Sequence, residues 1–278
     1  MIAISLAGSM LLARLLTPEE IGIYSVSLAV IGIAQVVRDF GIGSFLIQEK
    51  QLTEAHIRTA FGFSLLIGTT LFVIVFFAAP LAGQFYDDQR LVETMRISAL
   101  NFLVLPFCSI SLSLLRRNML FKRLAAVGVA AALTGFSVGV SLAYAGYGPN
   151  SMALGAVASN IVTGTLAWLV RTDRKLLLPS LSEWRVILKF GSQSSAASVV
   201  TTISTDINDL ALGRILGFAP VAMISRAQGL MNLFHRDIMG AIRGVMFPAF
   251  AKAHREGQSV DAQYIRSVTN VTAFAWPF

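Results

Sequence analysis

The sequence predicts an all-α, polytopic transmembrane helical bundle, and three observations carry that prediction. Of 278 residues, 55% are hydrophobic and only 13% are charged, with a mean hydropathy of +0.70, whereas a soluble domain carries roughly 25% charged residues. Residues 59–86, 97–115 and 124–170 carry no charge at all, and about 20 apolar residues suffice to cross a hydrocarbon core of roughly 30 Å. Lys and Arg gather in alternate connections between these runs. Strand-period alternation with hairpin turns does not recur, and helices satisfy their own backbone hydrogen bonds in lipid.

About eight spans and the start of a ninth follow in order. The first, Met1 to Leu15, has few apolar residues before Arg14, which is short for a span and points to a truncated start; a signal peptide fits poorly, because no basic residue precedes the apolar run. Ile21 to Val37 is the second. Thr59 to Ala82 and Ile97 to Leu115 come from the first two uncharged runs, and Gly146-Tyr147-Gly148-Pro149-Asn150-Ser151 divides the third into Leu124 to Ala145 and Ser151 to Val170. Phe190 to Leu216 and Val221 to Ala251 complete the eight. A ninth begins near Val268 and stops at Trp276-Pro277-Phe278, too short to cross, so a truncated two-lobe chain is expected. Residues 1–171 form a first six-helix lobe, 172–189 a basic cytoplasmic linker, and 190–278 the start of a second lobe.

Charge sets the expected orientation, because cytoplasmic loops collect Lys and Arg. One set of connections holds Arg38, Lys50 and Arg58, then Arg116, Arg117, Lys122 and Arg123, then Arg171, Arg174, Lys175, Arg185 and Lys189, then Lys252, Arg255 and Arg266. The opposite set holds only Arg14, Arg90, Arg96, Arg214 and Arg226. The first set, and with it the N-terminus, is expected to face the cytoplasm. The net charge of +7 then reports topology, and nucleic acid is not an expected partner.

Catalytic signatures are missing from the sequence. Cys108 stands alone inside an apolar span, where packing is its expected role. Metal-ligand spacing, a phosphate loop and a nucleophile elbow do not occur, so neither a metal, a cofactor nor an enzymatic activity is expected. Asp87 with Asp88 read as solvated loop charges.

Polar residues concentrate in the seventh and eighth spans. At about 100° per residue, Val199, Val200, Ile203, Ile207 and Leu210 form one stripe of the seventh, and Gln193, Ser194, Ser198, Thr201, Thr202, Ser204, Thr205, Asp206, Asn208 and Asp209 lie elsewhere. Such a face suits a water-filled cavity; the hydroxyls equally suit packing between helices. On the eighth, Arg226, Gly229, Asn232, Arg236, Asp237, Gly240, Arg243 and Gly244 share an arc of roughly 140°. Charges at mid-membrane cost on the order of 2.5 to 3.5 kcal/mol each, so they imply a cavity, a partner or a substrate. Arg226 and Arg243 could instead snorkel, and Arg236 with Asp237 could be a structural pair. The spacings Gly135-x-x-x-Gly139, Gly213-x-x-x-Gly217 and Gly240-x-x-x-Gly244 permit close helix contact without implying a function.

Three segments resemble a known family. They are Leu12-Ala-Arg-Leu-Leu-Thr-Pro-Glu-Glu-Ile-Gly-Ile-Tyr24 with Asp39-Phe-Gly-Ile-Gly-Ser-Phe-Leu-Ile-Gln48 and Leu52-Thr-Glu, then Leu114-Leu-Arg-Arg-Asn-Met-Leu-Phe-Lys122, then Leu212-Gly-Arg-Ile-Leu-Gly217 with Ile224-Ser-Arg-Ala227. Together they resemble the polysaccharide-transport branch, the O-antigen and exopolysaccharide repeat-unit flippases, of the multidrug, oligosaccharidyl-lipid and polysaccharide exporter superfamily. Family members place an acidic residue five positions before the glycine matching Gly213; this chain has Asn208 there and Asp209 beside it.

The resemblance implies an exporter of two six-helix lobes that alternates access to a central cavity and carries undecaprenyl-diphosphate-linked oligosaccharide outward through membrane lipid. A polysaccharide polymerase is the protein partner such a transporter would supply. Arg226, Arg236 and Arg243 would then hold the diphosphate, because the guanidinium fork suits phosphate oxygens. Gln193, Thr201 and Asn208 would hydrogen-bond sugars, and Asp206 or Asp209 would bind a coupling cation. The alternative is a cation-coupled multidrug exporter of the same superfamily, against which the arginines of the eighth span argue.

Overall fold

The computed structural model of the chain describes residues 2–171, 178–191, 215, 219–224, 239–259 and 261–275. Every regular element among them is helical: α1 (Ile2–Leu15), α2 (Pro18–Asp39), α3 (Ile42–Gln48), α4 (Glu54–Tyr86), α5 (Gln89–Ala99), α6 (Asn101–Arg117), α7 (Phe121–Tyr144), α8 (Pro149–Leu169), α9 (184–191), α10 (219–224), α11 (Met239–Arg255) and α12 (Asp261–Ala275). Four stretches among the described residues are long and apolar enough to cross a membrane: α4, α5 with α6, α7 and α8.

Local chemistry sets the starts and stops. Thr17 and Glu20 form a reciprocal cap at the head of α2, with the Glu20 amide donating to Thr17 Oγ1 and the Thr17 amide to Glu20 Oε2. Pro18 supplies a first-turn residue that needs no donor. At the head of α4, Thr53 Oγ1 accepts from the His56 amide while His56 Nδ1 accepts from the Thr53 amide. The tight join between α2 and α3 places Phe40 at φ 35° and Gly41 at φ 64°, a left-handed pair that reverses the chain within two residues.

The spans expected between Ile21 and Val170 are present as helices, most of which run past the expected bounds, whereas most of the expected seventh and eighth spans lies outside the described residues. α4 holds 33 residues, about 50 Å at 1.5 Å per residue, and so projects beyond a hydrocarbon core of roughly 30 Å. Its first turns carry the polar residues Glu54, His56 and Arg58. The connection expected between Ala82 and Ile97 shrinks to Asp87 and Asp88, because α5 is a helix whose Arg90, Glu93 and Arg96 hide it from a hydropathy reading. α5 and α6 meet at Leu100, where Asn101 Nδ2 donates to Ser98 O at 3.0 Å and the Leu100 amide turns back to Ile97 O. A side chain that occupies a helix carbonyl competes with the ladder and bends it. The ninth helix begins at Asp261, earlier than the expected Val268.

Two layers of core hold the bundle together. Ile23, Val26 and Ile31 of α2 pack on Val75 and Ala79 of α4 and on Leu91, Met95 and Phe102 of α5 and α6. Nearer the other end, Phe45 and Leu46 of α3 pack on Ala60 and Phe61 of α4, Ile110 and Leu114 of α6, and Ile187 of α9. α7 and α8 approach closely: a Cβ on Gly155 would stand 2.9 Å from Gly135 O, so the 135–139 spacing is a true contact. Gly240 and Gly244 have open space around them among the described residues. Leu66, Ile74, Phe77 and Leu81 of α4 are exposed, with Phe77 at 72%, which is a lipid-facing surface.

The bundle has two chemically distinct ends. The connections α1 to α2, α4 to α5 and α7 to α8 lie together at one, here named the acidic end, joined by Glu19, Asp88, Glu93 and Asn150. The connections around α3, between α6 and α7, and after α8 lie at the other, the basic end, with Arg58, Arg117, Arg123 and Arg255.

Candidate transport site

Gln193, Thr201, Asp206, Asn208, Asp209, Arg226 and Arg236 lie outside the described residues. Arg243 lies on the α11 backbone, between Gly240 and Gly244, and its side chain also lies outside them. The described bundle carries polar groups of its own.

A polar pair crosses its interior. Asn160 Nδ2 of α8 donates to Asn101 Oδ1 of α6 at 2.7 Å, and Asn101 passes the chain on to Ser98 O. Cys108 is 2% exposed and donates from Sγ to Asn160 O at 3.2 Å, so its expected packing role includes a hydrogen bond to α8. Amides in a membrane interior need such partners, since lipid offers none.

Arg96 is a partly buried cation that a loop assignment misses. It sits in the last turn of α5, with its guanidinium 4.9 Å from the Phe76 ring centroid of α4. Nε is buried without a hydrogen-bond acceptor. Aromatic faces attract desolvated cations, and the signal that could have located Arg96 is its spacing from Leu91, Val92, Met95 and Ala99, which form a helical stripe beside it.

The acidic end is bound by side chains. Arg90 Nη2 donates to Glu19 Oε1 at 2.5 Å and to Asp88 Oδ2 at 2.8 Å. Thr94 Oγ1 donates to Asn150 Oδ1, and Asn150 Nδ2 donates to Glu93 Oε2. Burial pushes the Asp88 carboxyl up, but its hydrogen bonds to Arg90 and the attraction of that charge outweigh it and hold the group below the usual carboxylate range. Asp88 also caps α5 through the Arg90 amide, so it is more than a solvated loop charge.

The basic end is bound through backbone carbonyls. Arg58 Nε donates to Leu178 O, Arg117 Nη1 to Leu46 O and Ile47 O, and Arg123 Nη1 to Val170 O. Residues 178–183 lie along the start of α4: the Ser180 amide donates to Arg58 O, and the Glu183 amide to Thr59 Oγ1. Gly62 makes this possible, since a Cβ there would stand 2.3 Å from Ser180 O. His56 accepts at Nδ1, which leaves its ring hydrogen on Nε2 to donate to Glu183 Oε2 at 2.7 Å.

A multi-pass helical bundle whose ends are sorted by charge fits the family named by the resemblance, and direct comparison decides the matter. The profile of the family described as "Polysaccharide biosynthesis protein" matches residues 11–278. The chain belongs to that family.

Its relatives include the lipopolysaccharide biosynthesis protein WzxC of Escherichia coli (strain K12), 25% identical over 99% of this chain and 56% of that protein. The teichuronic acid biosynthesis protein TuaB of Bacillus subtilis (strain 168) is 25% identical over 88% of this chain and 51% of its own length. The succinoglycan biosynthesis transport protein ExoT of Rhizobium meliloti (strain 1021) is 24% identical over 94% and 53%. The chain thus spans about half the length of the curated relatives it matches. No solved structure matches it significantly.

Proposed function

We propose that the chain is part of a transporter, rather than an enzyme, that flips undecaprenyl-diphosphate-linked oligosaccharide across a bacterial inner membrane for polysaccharide or lipopolysaccharide biosynthesis. The observation that carries the reading is family membership over nearly the whole chain, joined to a bundle with lipid-facing apolar helices. WzxC, TuaB and ExoT are proteins of lipopolysaccharide biosynthesis, teichuronic acid biosynthesis and succinoglycan biosynthesis transport, which supports the reading.

In this reading the basic end faces the cytoplasm, because Lys and Arg resist translocation, and the acidic end faces outward. Residues 1–171 are the first lobe, 172–189 the linker, and 190–278 the start of the second. Arg226, Arg236 and Arg243 hold the diphosphate. Gln193, Thr201 and Asn208 hydrogen-bond the sugars, and Asp206 or Asp209 takes the coupling cation. A polysaccharide polymerase receives the product.

The test is complementation. The complete coding sequence is expressed in a strain lacking its own repeat-unit flippase, and surface polysaccharide is compared with Arg236→Ala and Asp209→Ala at matched membrane abundance. Restoration by the parent, with a fall on the order of tenfold in Arg236→Ala, is expected from the loss of a charge-assisted hydrogen bond. A parent that restores no polysaccharide but confers resistance to cationic drugs would sink the reading in favour of the drug exporter.

A further inference from the structure

The C-terminus of α3 gathers two arginines from distant parts of the chain. In this seven-residue helix the Glu49 amide donates to Phe45 O, which leaves the Leu46 and Ile47 carbonyls without helical donors. Arg117, the last residue of α6, donates from Nη1 to Leu46 O at 2.8 Å and to Ile47 O at 3.2 Å. Arg255, the last residue of α11, donates from its own Nη1 to the same Ile47 oxygen. α11 packs on α3 and α6 here, joining chain segments 208 residues apart.

The two bonds differ in what they join. Arg117 ends α6, which shares with α3 the core of Phe45, Leu46, Ile110 and Leu114, onto which Ile187 and Phe190 also pack. Arg255 comes from beyond the linker. Two guanidiniums on one carbonyl repel each other, and Glu49 is the acidic group within electrostatic reach of Arg117. The partial negative charge of the helix end attracts both. The contact is therefore attractive enough to form and crowded enough to release. Around Arg255 on its own helix stand Lys252, His254 and Glu256, and Glu256 is drawn toward Lys252 at 3.8 Å.

We propose that Arg255 seated on the C-terminal carbonyls of α3 is a releasable latch that holds the second lobe against the first at the basic end. The proposal rests on the two-lobe transporter reading for its role, and on hydrogen-bond geometry for its existence. When latched, the basic side of the space between lobes is closed; when Arg255 lets go, that side opens while Arg117 keeps α3 in place.

The experiment measures distance rather than transport. Gln48 and Lys252 are exposed near the two partners, so Gln48→Cys and Lys252→Cys are spin-labelled in a Cys108→Ser background of the full chain in lipid nanodiscs. Double electron-electron resonance should give a short-distance population in the parent. Arg255→Gln should shift the ratio toward longer distances by on the order of tenfold, as loss of a hydrogen bond to a charged donor implies. Arg255→Lys should retain part of the short population, which controls for misfolding of the Gln variant. An Arg255→Gln distribution that matches the parent refutes the latch. A distance that responds to Arg255 in a protein that restores no polysaccharide keeps the latch and removes the flippase reading.

Discussion

The acidic end of the bundle and its basic end are held by different chemistry. At the acidic end, side chain meets side chain: Arg90 with Glu19 and Asp88, and Asn150 with Thr94 and Glu93, tie three hairpins. At the basic end, cations outnumber carboxylates and turn to backbone oxygen. Arg58, Arg117, Arg123 and Arg255 reach carbonyls of 178, 46–47, 170 and 47. Several of those carbonyls close helices whose C-terminal partial charge favours a cation. The difference teaches that a charge bias imposed by membrane topology also dictates how an end is stapled. An end rich in both signs becomes a closed rim, whereas an end rich in one sign ties in connecting segments and α11.

Four substitutions would break or sharpen this contrast. Gly62→Leu should have the largest effect, because its side chain occupies the place of Ser180 backbone. A loss of about 1–3 kcal/mol is expected from overpacking, read as a lower melting temperature in detergent; an unchanged temperature would mean that residues 178–183 do not dock on α4. His56→Ala removes the imidazole half of the α4 capping box and the hydrogen bond to Glu183, leaving the Thr53 Oγ1 cap on the residue 56 amide. It should cost about 1–2 kcal/mol, and a double-mutant cycle with Glu183→Gln should show coupling between the two residues.

Between the ends, Asn160→Ala should cost roughly 0.6 to 1.7 kcal/mol, the range for hydrogen bonds between membrane helices. The cost should disappear in an Asn101→Ala background, because the partner is then already gone. Glu19→Ala at the acidic rim should cost the least, about 0.2–1 kcal/mol, since the pair with Arg90 is half exposed. The pH dependence of this rim follows from Asp88, whose carboxyl lies below its unfolded value. Its contribution is fully present above pH of about 4 and is lost as pH falls through the depressed value. Thermal unfolding followed from pH 6 downward should show the loss in the parent and not in Asp88→Asn.

Much of the fold was legible in the residues. α4, α7 and α8 announce themselves because lipid demands uninterrupted apolar runs, and Gly146 to Ser151 marks the hairpin between the last two. α3 and α5 escape the same reading for a physical reason: one is too short to register, and the other mixes Arg90, Glu93 and Arg96 with a buried apolar stripe. The expected site between Gln193 and Arg243 rests on helical-wheel placement, and most of it lies outside the described residues. The polar pair Asn101 and Asn160 was not legible, because 59 residues separate them.

By itself the sequence determined the all-α class, the apolar runs of α4, α6, α7 and α8, the sorting of charge between ends and the family, because each depends on composition or on order along the chain. Tertiary structure alone decided which polar groups meet. The rotation of α6 against α8 aims Asn101 at Asn160, the absence of a side chain at Gly62 admits Ser180, and the placing of α3 brings Arg117 and Arg255 to one carbonyl. These are matters of angle and close approach between distant segments. Hydrophobic burial, which is nearly directionless, draws the helices together without choosing them.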